Sequence, residues 1–501
     1  MRPDSAEHVD VLIVGAGISG VDAAYHLQTK HSGKSYAVLE ARKAIGGTWD
    51  LFRYPGIRSD SDMYTLGFPF RPWRGDRAIA DGASIRAYVE ETAREFGIHR
   101  HIRFGHKVTR ASWSSAEARW TVEVDAQGGV RRFSCGFLYL CSGYYDYERG
   151  YRPEWPGEDR FAGRFVHPQH WPEDLDFAGK RVVVVGSGAT AVTLVPALTD
   201  KATHVTMLQR SPSYIVSLPS RDPIARLAGK LLPGRRAAGL VRWKNVLLAR
   251  FFFRRARARP EGTRRTILKR IAKALPKGYD VEKDFSPSYQ PWDQRLCLVP
   301  DNDLFDAMRA GKASIVTDSI AGFTETGIAL RSGRELGADI VVTATGLVVR
   351  LLGGIDLNVD GKPVSAAGRL VYKGMMFEDI PNLAFAFGYT NASWTLKCDL
   401  TARYLCRLLR HMDEHGHRIA TPRLRDPSMG RERLLAFSSG YIERAISSLP
   451  VQGAKPPWRV PQDYVTDLVA FRFSRLADEA MEFKAAGVSA EPIDGGASPC
   501  Q

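Results

Sequence analysis

Residues 9–20 read VDVLIVGAGISG, an apolar strand that runs directly into three spaced glycines. Gly15 permits the tight turn after the strand, Gly17 lets a pyrophosphate approach the backbone, and Gly20 lets the following helix pack closely on the strand. A second apolar run ends at Glu40, where an acid accepts hydrogen bonds from ribose hydroxyls. Strand, glycine turn, helix, strand and acid in this order predict a βαβ unit that binds a dinucleotide, rather than an ordinary glycine turn.

A second copy of this pattern begins at Arg181, where four consecutive valines precede a glycine loop. Its third glycine position holds alanine, which this type of loop allows. We expect the second nucleotide to contact five residues of the loop: Gly186, Ser187, Gly188, Thr190 and Ala191.

The two units differ at the end of their second strand. The first unit has Glu40 there, whereas the second has Gln209, Arg210 and Ser211. An acid repels a 2′-phosphate, but an arginine pairs with it in a bidentate manner. We therefore expect FAD in the first unit and NADPH in the second, so that the reduced nicotinamide passes hydride to the flavin. The alternative for Arg210 is a surface arginine that binds no ligand.

The alternation of strands and helices predicts an α/β protein with two Rossmann-like dinucleotide-binding domains and a helical basic insertion. We predict an FAD-binding domain formed by residues 1–150 and, together with the C-terminal region, by residues 346–487. The NADPH-binding domain would cover residues 151–345 and carry the insertion at residues 221–285. Residues 488–501, rich in Gly, Pro and Ser, are predicted to be a disordered tail.

Length and composition fit an enzyme of several domains. A chain of 501 residues is too long for one hydrophobic core, and 25% charged residues is ordinary for a globular protein. The six cysteines show no metal-ligand spacing, so we predict no metal site and a cytoplasmic location with reduced thiols. The sequence shows no signal peptide and no apolar run long enough for a transmembrane helix.

The net charge of +15 is concentrated in one stretch. Residues 221–277 hold 18 Lys and Arg against Asp222 and Glu261, and they include an apolar block from Val246 to Phe253. Apolar residues among dense arginines fit peripheral contact with an anionic membrane. The alternative is a solvated helical insertion whose phenylalanines pack on the host domain. No nucleic-acid-binding module accompanies the charge, so we expect no nucleic-acid partner.

A motif just before the second glycine loop indicates a family. The stretch FAGRFVHPQHWP, residues 161–172, fits F-x-G-x-x-x-H-x-x-x-W-P and resembles the fingerprint of Baeyer–Villiger flavin monooxygenases. The related flavin-containing amine and sulfide monooxygenases usually lack the Trp-Pro ending. The fingerprint residues are Phe161, Gly163, His167, Trp171 and Pro172. The resemblance implies that His167 links domain motion to catalysis; the alternative is an interdomain histidine with satisfied hydrogen bonds.

Three further stretches carry the same resemblance, most of all to its ethionamide monooxygenase branch. The first contains Thr48 and Trp49 and then Asp60, and the resemblance implies that Trp49 and Asp60 lie near the isoalloxazine ring. The second ends at Arg295, which resembles the active-site arginine of the family. Many relatives have a 2′-phosphate-binding lysine just before this arginine, whereas this chain has Gln294. The third, residues 389–397, contains Asn391 in a segment that lies near the flavin in the family.

The resemblance implies a reaction. NADPH would reduce FAD, O2 would add at the flavin C4a to form a peroxide, and the peroxide would convert a small apolar ketone into an ester or lactone, with sulfide oxygenation as a side activity. Arg295 would stabilise the developing negative charge and Asp60 would orient it. One alternative is an N- or S-oxygenating flavin monooxygenase. Another is a membrane-surface binding protein with vestigial nucleotide sites. Cys135 and Cys141 are read as structural, which argues against a disulfide reductase.

Overall fold

A computed structural model describes residues 6–485. The predicted tail, residues 488–501, lies outside the described residues. The helices are α1 Ile18–Lys30, α2 Thr48–Leu51, α3 Met63–Leu66, α4 Gly82–Glu95, α5 Ala189–Leu198, α6 Pro223–Leu231, α7 Gly234–Ala258, α8 Pro260–Ala274, α9 Val281–Phe285, α10 Asp303–Arg309, α11 Trp394–Glu414, α12 Gly440–Ala445 and α13 Tyr464–Phe473. Short 3-10 turns cover Ile98–His101, Glu158–Arg160, Pro168–His170, Leu351–Gly354 and Ile446–Ser448.

The strands in chain order are β1 Glu7–Val14, β2 Tyr36–Glu40, β3 Ile102–Phe104, β4 Lys107–Ser114, β5 Arg119–Ala126, β6 Gly129–Leu140, β7 Tyr145–Gly150, β8 Arg164–Val166, β9 Arg181–Val185, β10 His204–Gln209, β11 Ile215–Leu218, β12 Cys297–Pro300, β13 Ala313–Thr317, β14 Ile320–Phe323, β15 Gly327–Leu330, β16 Glu335–Gly337, β17 Ile340–Thr343, β18 Leu347–Val349, β19 Asp356–Val359, β20 Lys362–Val364, β21 Val371–Tyr372, β22 Met376–Phe377, β23 Leu383–Phe385, β24 Ile419–Pro422, β25 Arg431–Arg433, β26 Val451–Gly453 and β27 Met481–Lys484.

The larger sheet has a parallel centre and an antiparallel wing. Strands β3, β2, β1, β6 and β23 run parallel, whereas β4 and β5 extend the sheet in antiparallel pairing beside β6. The second half of β1, residues 11–14, is apolar because it is buried on both faces: Val11 and Ile13 enter one core, and Leu12 and Val14 enter the other. The helices α1 and α11 pack against each other over the first of these cores.

The second sheet is entirely parallel, with the strand order β13-β10-β9-β17-β8. The valines of β9 occupy its centre, and α5 packs on the sheet with a buried face from Ala191 to Leu198. In each sheet, therefore, one parallel strand ends in a glycine turn that leads into a helix. This is the α/β architecture with two Rossmann-like units that the sequence predicts.

Two connecting strands join the sheets. The chain leaves the first sheet along β7, returns along β18 after the second sheet, and the two strands pair antiparallel from Leu347 with Gly150 to Val349 with Tyr145. The predicted boundaries at residues 150 and 345 fall at this crossing; the residue limits of the domains stay a prediction.

The basic stretch forms the helices α6, α7 and α8. Of its three phenylalanines, Phe253 packs edge-on against Trp292 of the host domain, whereas Phe251 and Phe252 are 58% and 51% exposed. The expectation that the phenylalanines pack on the host therefore holds for only one of them. Within residues 6–485, no helix is both long enough and apolar enough to cross a bilayer.

Candidate functional site

The first glycine loop is closed so tightly that two of its glycines cannot be replaced. Gly15 has φ +106°, and a Cβ there would lie 2.5 Å from the carbonyl oxygen of Cys141. A Cβ on Gly20 would lie 1.8 Å from the carbonyl oxygen of Gly15. Gly17 is the residue before α1, and no side chain caps that helix, so its first backbone N–H groups are free to bind an anion.

Glu40 stands at the end of β2, and its carboxylate braces the loop. The N–H of Ala16 donates to Oε2 at 2.7 Å, and the N–H of Arg42 donates to Oε1 at 2.8 Å. Glu40 is 6% exposed, and this burial raises the pKa of its carboxyl. Each oxygen keeps a second lone pair, so ribose hydroxyls can still donate to Glu40.

The second glycine loop leaves open space beside one of its glycines. Gly186 has φ +138°, and a Cβ there would lie 2.3 Å from the carbonyl oxygen of Ala344. A Cβ on Gly188, in contrast, would meet no described atom within 4 Å. Packing therefore does not explain this glycine, whereas the approach of a pyrophosphate to the uncapped start of α5 does. Thr190 and the buried Ala191 follow in the first turn of α5.

Arg210 is exposed just beyond β10, with Ser211 beside it. The hydroxyl of Ser187 donates to the carbonyl oxygen of Ser211 at 3.0 Å, which joins the glycine loop to this position.

A second arginine, which sequence reasoning missed, lies near the first. The guanidinium of Arg444 on α12 lies 3.5 Å from the centre of the Tyr151 ring. Burial has the largest effect on the pKa of Arg444 and lowers it. Tyr151 raises this pKa, the positive charge of Arg210 lowers it, and the net shift is downward. Neither arginine has a carboxylate within 4 Å in the described part of the chain. The sequence carried no signal for Arg444, because it belongs to a short helix far along the chain.

Arg295 and Asp60 form a two-point ion pair. Nη2 of Arg295 donates to Oδ1 of Asp60 at 3.1 Å, and Nε lies 3.1 Å from Oδ2. The two side chains are 40% and 39% exposed, so a ligand can reach the pair. Asp60 is the main cause that raises the pKa of Arg295, so the guanidinium stays cationic. Among residues 6–485, Nη1 of Arg295 has no recorded hydrogen-bond acceptor.

Aromatic side chains connect this pair to the first glycine loop. Tyr144 and Tyr441 are close enough to Arg295 to influence its pKa, and burial raises the pKa of both tyrosines. Tyr144 stacks on Trp394 at 5.4 Å between ring centres. Nε1–H of Trp394 donates to the hydroxyl of Ser19, in the first turn of α1, at 2.8 Å.

The glycine-rich segment after β2 lies against the connecting strand β7. Thr48 and Tyr145 share a hydrogen bond of 2.6 Å between their hydroxyl oxygens. Trp49 is half-buried and packs on the core beneath α1. Asn391 is oriented by its amide nitrogen, because Nδ2 donates one hydrogen bond to the carbonyl oxygen of Gln462 at 2.9 Å.

The fingerprint segment contacts the same connecting strand, β7. The ring of His167 covers Gly150 so closely that a Cβ there would lie 1.9 Å from Cε1. Nδ1 of His167 accepts from the N–H of Gln169, whose side chain donates to the carbonyl oxygen of Asp146 at 2.8 Å. Nε2 of His167 is buried without a recorded partner, and burial lowers the pKa of the ring.

The remaining fingerprint residues support the second domain. Phe161 is buried in a core beneath the second sheet, and a Cβ on Gly163 would lie 2.5 Å from the carbonyl oxygen of Asp339. Trp171 packs on the core beside α5, and Pro172 follows it. The structure thus brings Arg295 and Asp60 together, Trp394 to the first loop and Arg210 beside the second, whereas Phe161 and Gly163 lie in packing positions.

Comparison with known proteins agrees with the two-nucleotide fold. Residues 13–74 match the family described as NAD(P)-binding Rossmann-like domain, and residues 77–224 match the flavin-binding monooxygenase-like family. The FAD-containing monooxygenase EthA of Mycobacterium tuberculosis (strain ATCC 25618 / H37Rv) is 55% identical over 478 residues, which are 95% of this chain and 98% of that protein. The probable FAD-binding monooxygenase AlmA of Acinetobacter baylyi (strain ATCC 33305 / BD413 / ADP1) is 46% identical over 480 residues, 95% of this chain and 96% of that protein.

A solved structure shares the whole architecture. An oxidized steroid monooxygenase bound to NADP superimposes with a TM-score of 0.69 and 26% identity, covering 83% of this chain and 88% of that chain. The relatives and this structure show that the cofactors are FAD and NADPH and that the activity is that of a flavin-dependent monooxygenase. The open space beside Gly188 and the uncapped starts of α1 and α5 fit these two nucleotides.

Proposed function

Because this chain belongs to the Baeyer–Villiger flavin monooxygenase family, in the branch of EthA, we propose that it uses NADPH and O2 to convert ketones into esters or lactones. FAD, held at the first glycine loop with its ribose at Glu40, supplies the activated oxygen when it is bound and reduced. The observation that carries the proposal is the two-point ion pair of Arg295 and Asp60, which is partly exposed.

Arg295 provides a fixed positive charge for the reacting oxygen atoms. Negative charge develops on the carbonyl oxygen of a ketone when a nucleophile adds to it, and a preorganised cation stabilises that charge. Nη1 of Arg295 is the donor that we assign to this oxygen, because Nη2 and Nε are directed at Asp60. A guanidinium remains protonated at any working pH, so the donor is always present.

Asp60 positions the arginine rather than contacting the substrate. Its two oxygens receive Nη2 and Nε, which fixes the plane of the guanidinium and leaves Nη1 directed away from the pair. Tyr144 and Tyr441 keep their protons because burial raises the pKa of each, so both can donate O–H hydrogen bonds near Arg295. The stacked rings of Tyr144 and Trp394 offer apolar faces to a small apolar substrate and exclude water from the reacting atoms.

NADPH selection is assigned to the pair Arg210 and Arg444. Within residues 6–485 neither guanidinium has a carboxylate within 4 Å, and Arg210 lies beside the second glycine loop, so the two cations are suited to a doubly charged 2′-phosphate. Arg444 would supply the second cation that many relatives place before the active-site arginine, where this chain has Gln294. Gln294 instead donates through Nε2 to the carbonyl oxygen of Ser438 at 3.3 Å.

Product analysis tests the function. The FAD-loaded protein is given NADPH, O2, a panel of ketones of varied chain length and a panel of sulfides, and products are identified by mass spectrometry. We expect esters that carry one added oxygen atom. Arg295→Ala should still show NADPH-dependent bleaching of the flavin absorbance but should form ester at least about 100-fold more slowly, as expected for removal of a transition-state cation.

The exposed Arg331→Ala serves as the matched control and should behave like the parent protein. Ester formation by Arg295→Ala at the parent rate would show that the assignment of Arg295 is wrong. Rapid formation of sulfoxides with no ester from any ketone would replace the proposal with S-oxygenation at the same site.

A further inference from the structure

The helices α6 and α7 expose apolar side chains that a water-soluble surface normally buries. Residues 223–258 hold ten of the fifteen large apolar side chains recorded as exposed. We call the exposed side of these helices the outer face; it carries Leu227 and Leu231 on α6 and Leu240, Leu247, Phe251 and Phe252 on α7. On α7, Leu240, Leu247 and Phe251 recur at helical spacing, so they form a continuous stripe. Contiguous exposed apolar area of this kind marks an interaction surface.

The opposite side of α7 is firmly attached, so the exposure does not come from a detached helix. Nη1 of Arg242 donates to the carbonyl oxygen of Gly67 at 2.8 Å, and Asn245 donates to Asp62 at 2.8 Å. Val246 is 5% exposed and packs with Tyr389 and Leu396. The outer face is therefore the solvent side of an anchored helix.

Positive charge surrounds the outer face. Residues 221–277 contain 18 Lys and Arg and two acids, so the net charge of this stretch, 18 − 2 = +16, exceeds the +15 of the whole chain. Within the described residues, six exposed cations of α6, α7 and the following turn have no carboxylate within 4 Å: Arg226, Lys230, Arg235, Arg236, Arg255 and Arg259. These charges are available to a partner.

Charge decides which partner fits. A second copy of the chain would bring an equally positive face against this one, and the two would repel each other. A nucleic acid would neutralise the cations but leave Leu247 and Phe251 in contact with polar phosphates. A bilayer with anionic headgroups satisfies both features, because apolar side chains enter its interface while arginines bind phosphates. We propose that the outer face of α6 and α7 docks the protein on an anionic lipid bilayer.

Docking would place lipid next to the candidate site. Through its inner side, α7 contacts both segments that carry the ion pair: Asn245 binds Asp62, two residues after Asp60, and Arg257 pairs with Asp293, two residues before Arg295. The diameter of one helix, about 10 Å, therefore separates the bilayer from these segments. An apolar ketone leaving the lipid would then be close to Arg295 and Asp60; this step rests on the proposed function.

Vesicle sedimentation tests the docking. The FAD-loaded full-length protein is mixed with vesicles of phosphatidylcholine alone or of phosphatidylcholine with phosphatidylglycerol. We expect the protein to pellet with the anionic vesicles, to stay in the supernatant with the neutral ones, and to bind more weakly as salt is raised to about 0.5 M, which shortens the screening length.

Two variants separate the contributions. Combined Leu247→Ser and Phe251→Ser removes two apolar anchors and should raise the half-saturating lipid concentration at least about tenfold. Combined Arg226→Gln, Arg236→Gln and Arg255→Gln removes three cations and should do the same. The matched control, Val130→Ser with Lys362→Gln, changes an exposed apolar side chain and an exposed lysine elsewhere and should bind as the parent does. Unchanged FAD content and melting temperature establish that the variants fold.

Equal pelleting of the parent and both variants overturns the proposal. The proposal is also overturned if the parent binds no vesicles but forms a stable dimer in analytical ultracentrifugation that the combined Leu247→Ser and Phe251→Ser variant dissociates. The outer face would then join two copies of the chain. Pelleting of the parent with anionic vesicles, together with weaker pelleting of both variants, upholds the docking whether or not any ketone is oxidised, so its outcome is separate from that of the proposed function.

Discussion

At the residue scale, the second nucleotide loop depends on arginines that come from distant parts of the chain. Arg210 follows β10 directly, whereas Arg444 lies on α12 and is held by its stacking on Tyr151. Burial, and to a lesser extent the positive charge of Arg210, lowers the pKa of Arg444, so the two guanidinium groups are within electrostatic range of each other. An anion bound between two positive charges offsets their repulsion. We therefore assign both arginines to the 2′-phosphate.

Arg444→Ala should weaken the binding of NADP⁺ by about 10- to 150-fold and that of NAD⁺ hardly at all, because one charge-assisted hydrogen bond contributes roughly 1.5–3 kcal/mol. Arg210→Ala should show the same selectivity. Isothermal titration of the FAD-loaded protein with both nucleotides measures it, with Arg331→Ala as the control. Equal losses for NADP⁺ and NAD⁺ would reject Arg444 as a phosphate contact.

At the scale of secondary-structure elements, the two glycine turns look alike in sequence and differ in what their glycines do. In the first turn, Gly20 is required by the protein itself, because a Cβ would strike the backbone of Gly15. In the second turn, Ala191 replaces that glycine without harm and is fully buried. Gly188 has open space beside it, so its small size serves a ligand rather than packing.

Substituting these two glycines should therefore have opposite effects. Gly20→Ala should lose FAD and fold poorly, because a Cβ cannot be accommodated 1.8 Å from a carbonyl oxygen. Gly188→Ala should keep the FAD content and melting temperature of the parent but bind NADP⁺ at least about tenfold more weakly, since its Cβ occupies the place of the pyrophosphate. Flavin absorbance, thermal unfolding and titration report these properties. Parent-like NADP⁺ binding by Gly188→Ala would remove the second loop from the pyrophosphate site.

At the scale of the whole molecule, function requires two domains to bring their nucleotides together. The connection is the paired strands β7 and β18, and the fingerprint segment grips β7 through Gln169 and the ring of His167. The buried Nε2 of His167 has no recorded partner within residues 6–485, so this ring is the part of the contact best able to change hydrogen bonds when the domains move. These contacts give a structural basis for the predicted link between His167 and domain motion, which stays a prediction.

Gly150→Ala tests that link without touching either nucleotide loop. The new Cβ would lie 1.9 Å from Cε1 of His167, so the ring must move and the connecting strand with it. We expect normal FAD content and NADP⁺ affinity but at least about tenfold slower reduction of the flavin by NADPH, because hydride transfer is sensitive to shifts of about 1 Å. Stopped-flow absorbance measures the rate. Gly33→Ala, where a Cβ meets nothing, is the control, and an equal rate in both variants would show that this contact does not govern domain alignment.

The sequence by itself determined the two Rossmann-like units and the order in which FAD and NADPH are expected, because a strand, a spaced glycine turn and the residue ending the next strand are all local features. It also pointed to Arg295 and Asp60, but only through resemblance. The tertiary structure alone decided that these two side chains meet, that Arg444 comes within electrostatic range of Arg210, and that α7 buries Val246 while exposing Leu247 and Phe251. Such contacts join residues far apart in the chain, and exposure depends on which side of a helix the rest of the protein covers. A helix with apolar residues on several sides does not reveal that in its own sequence.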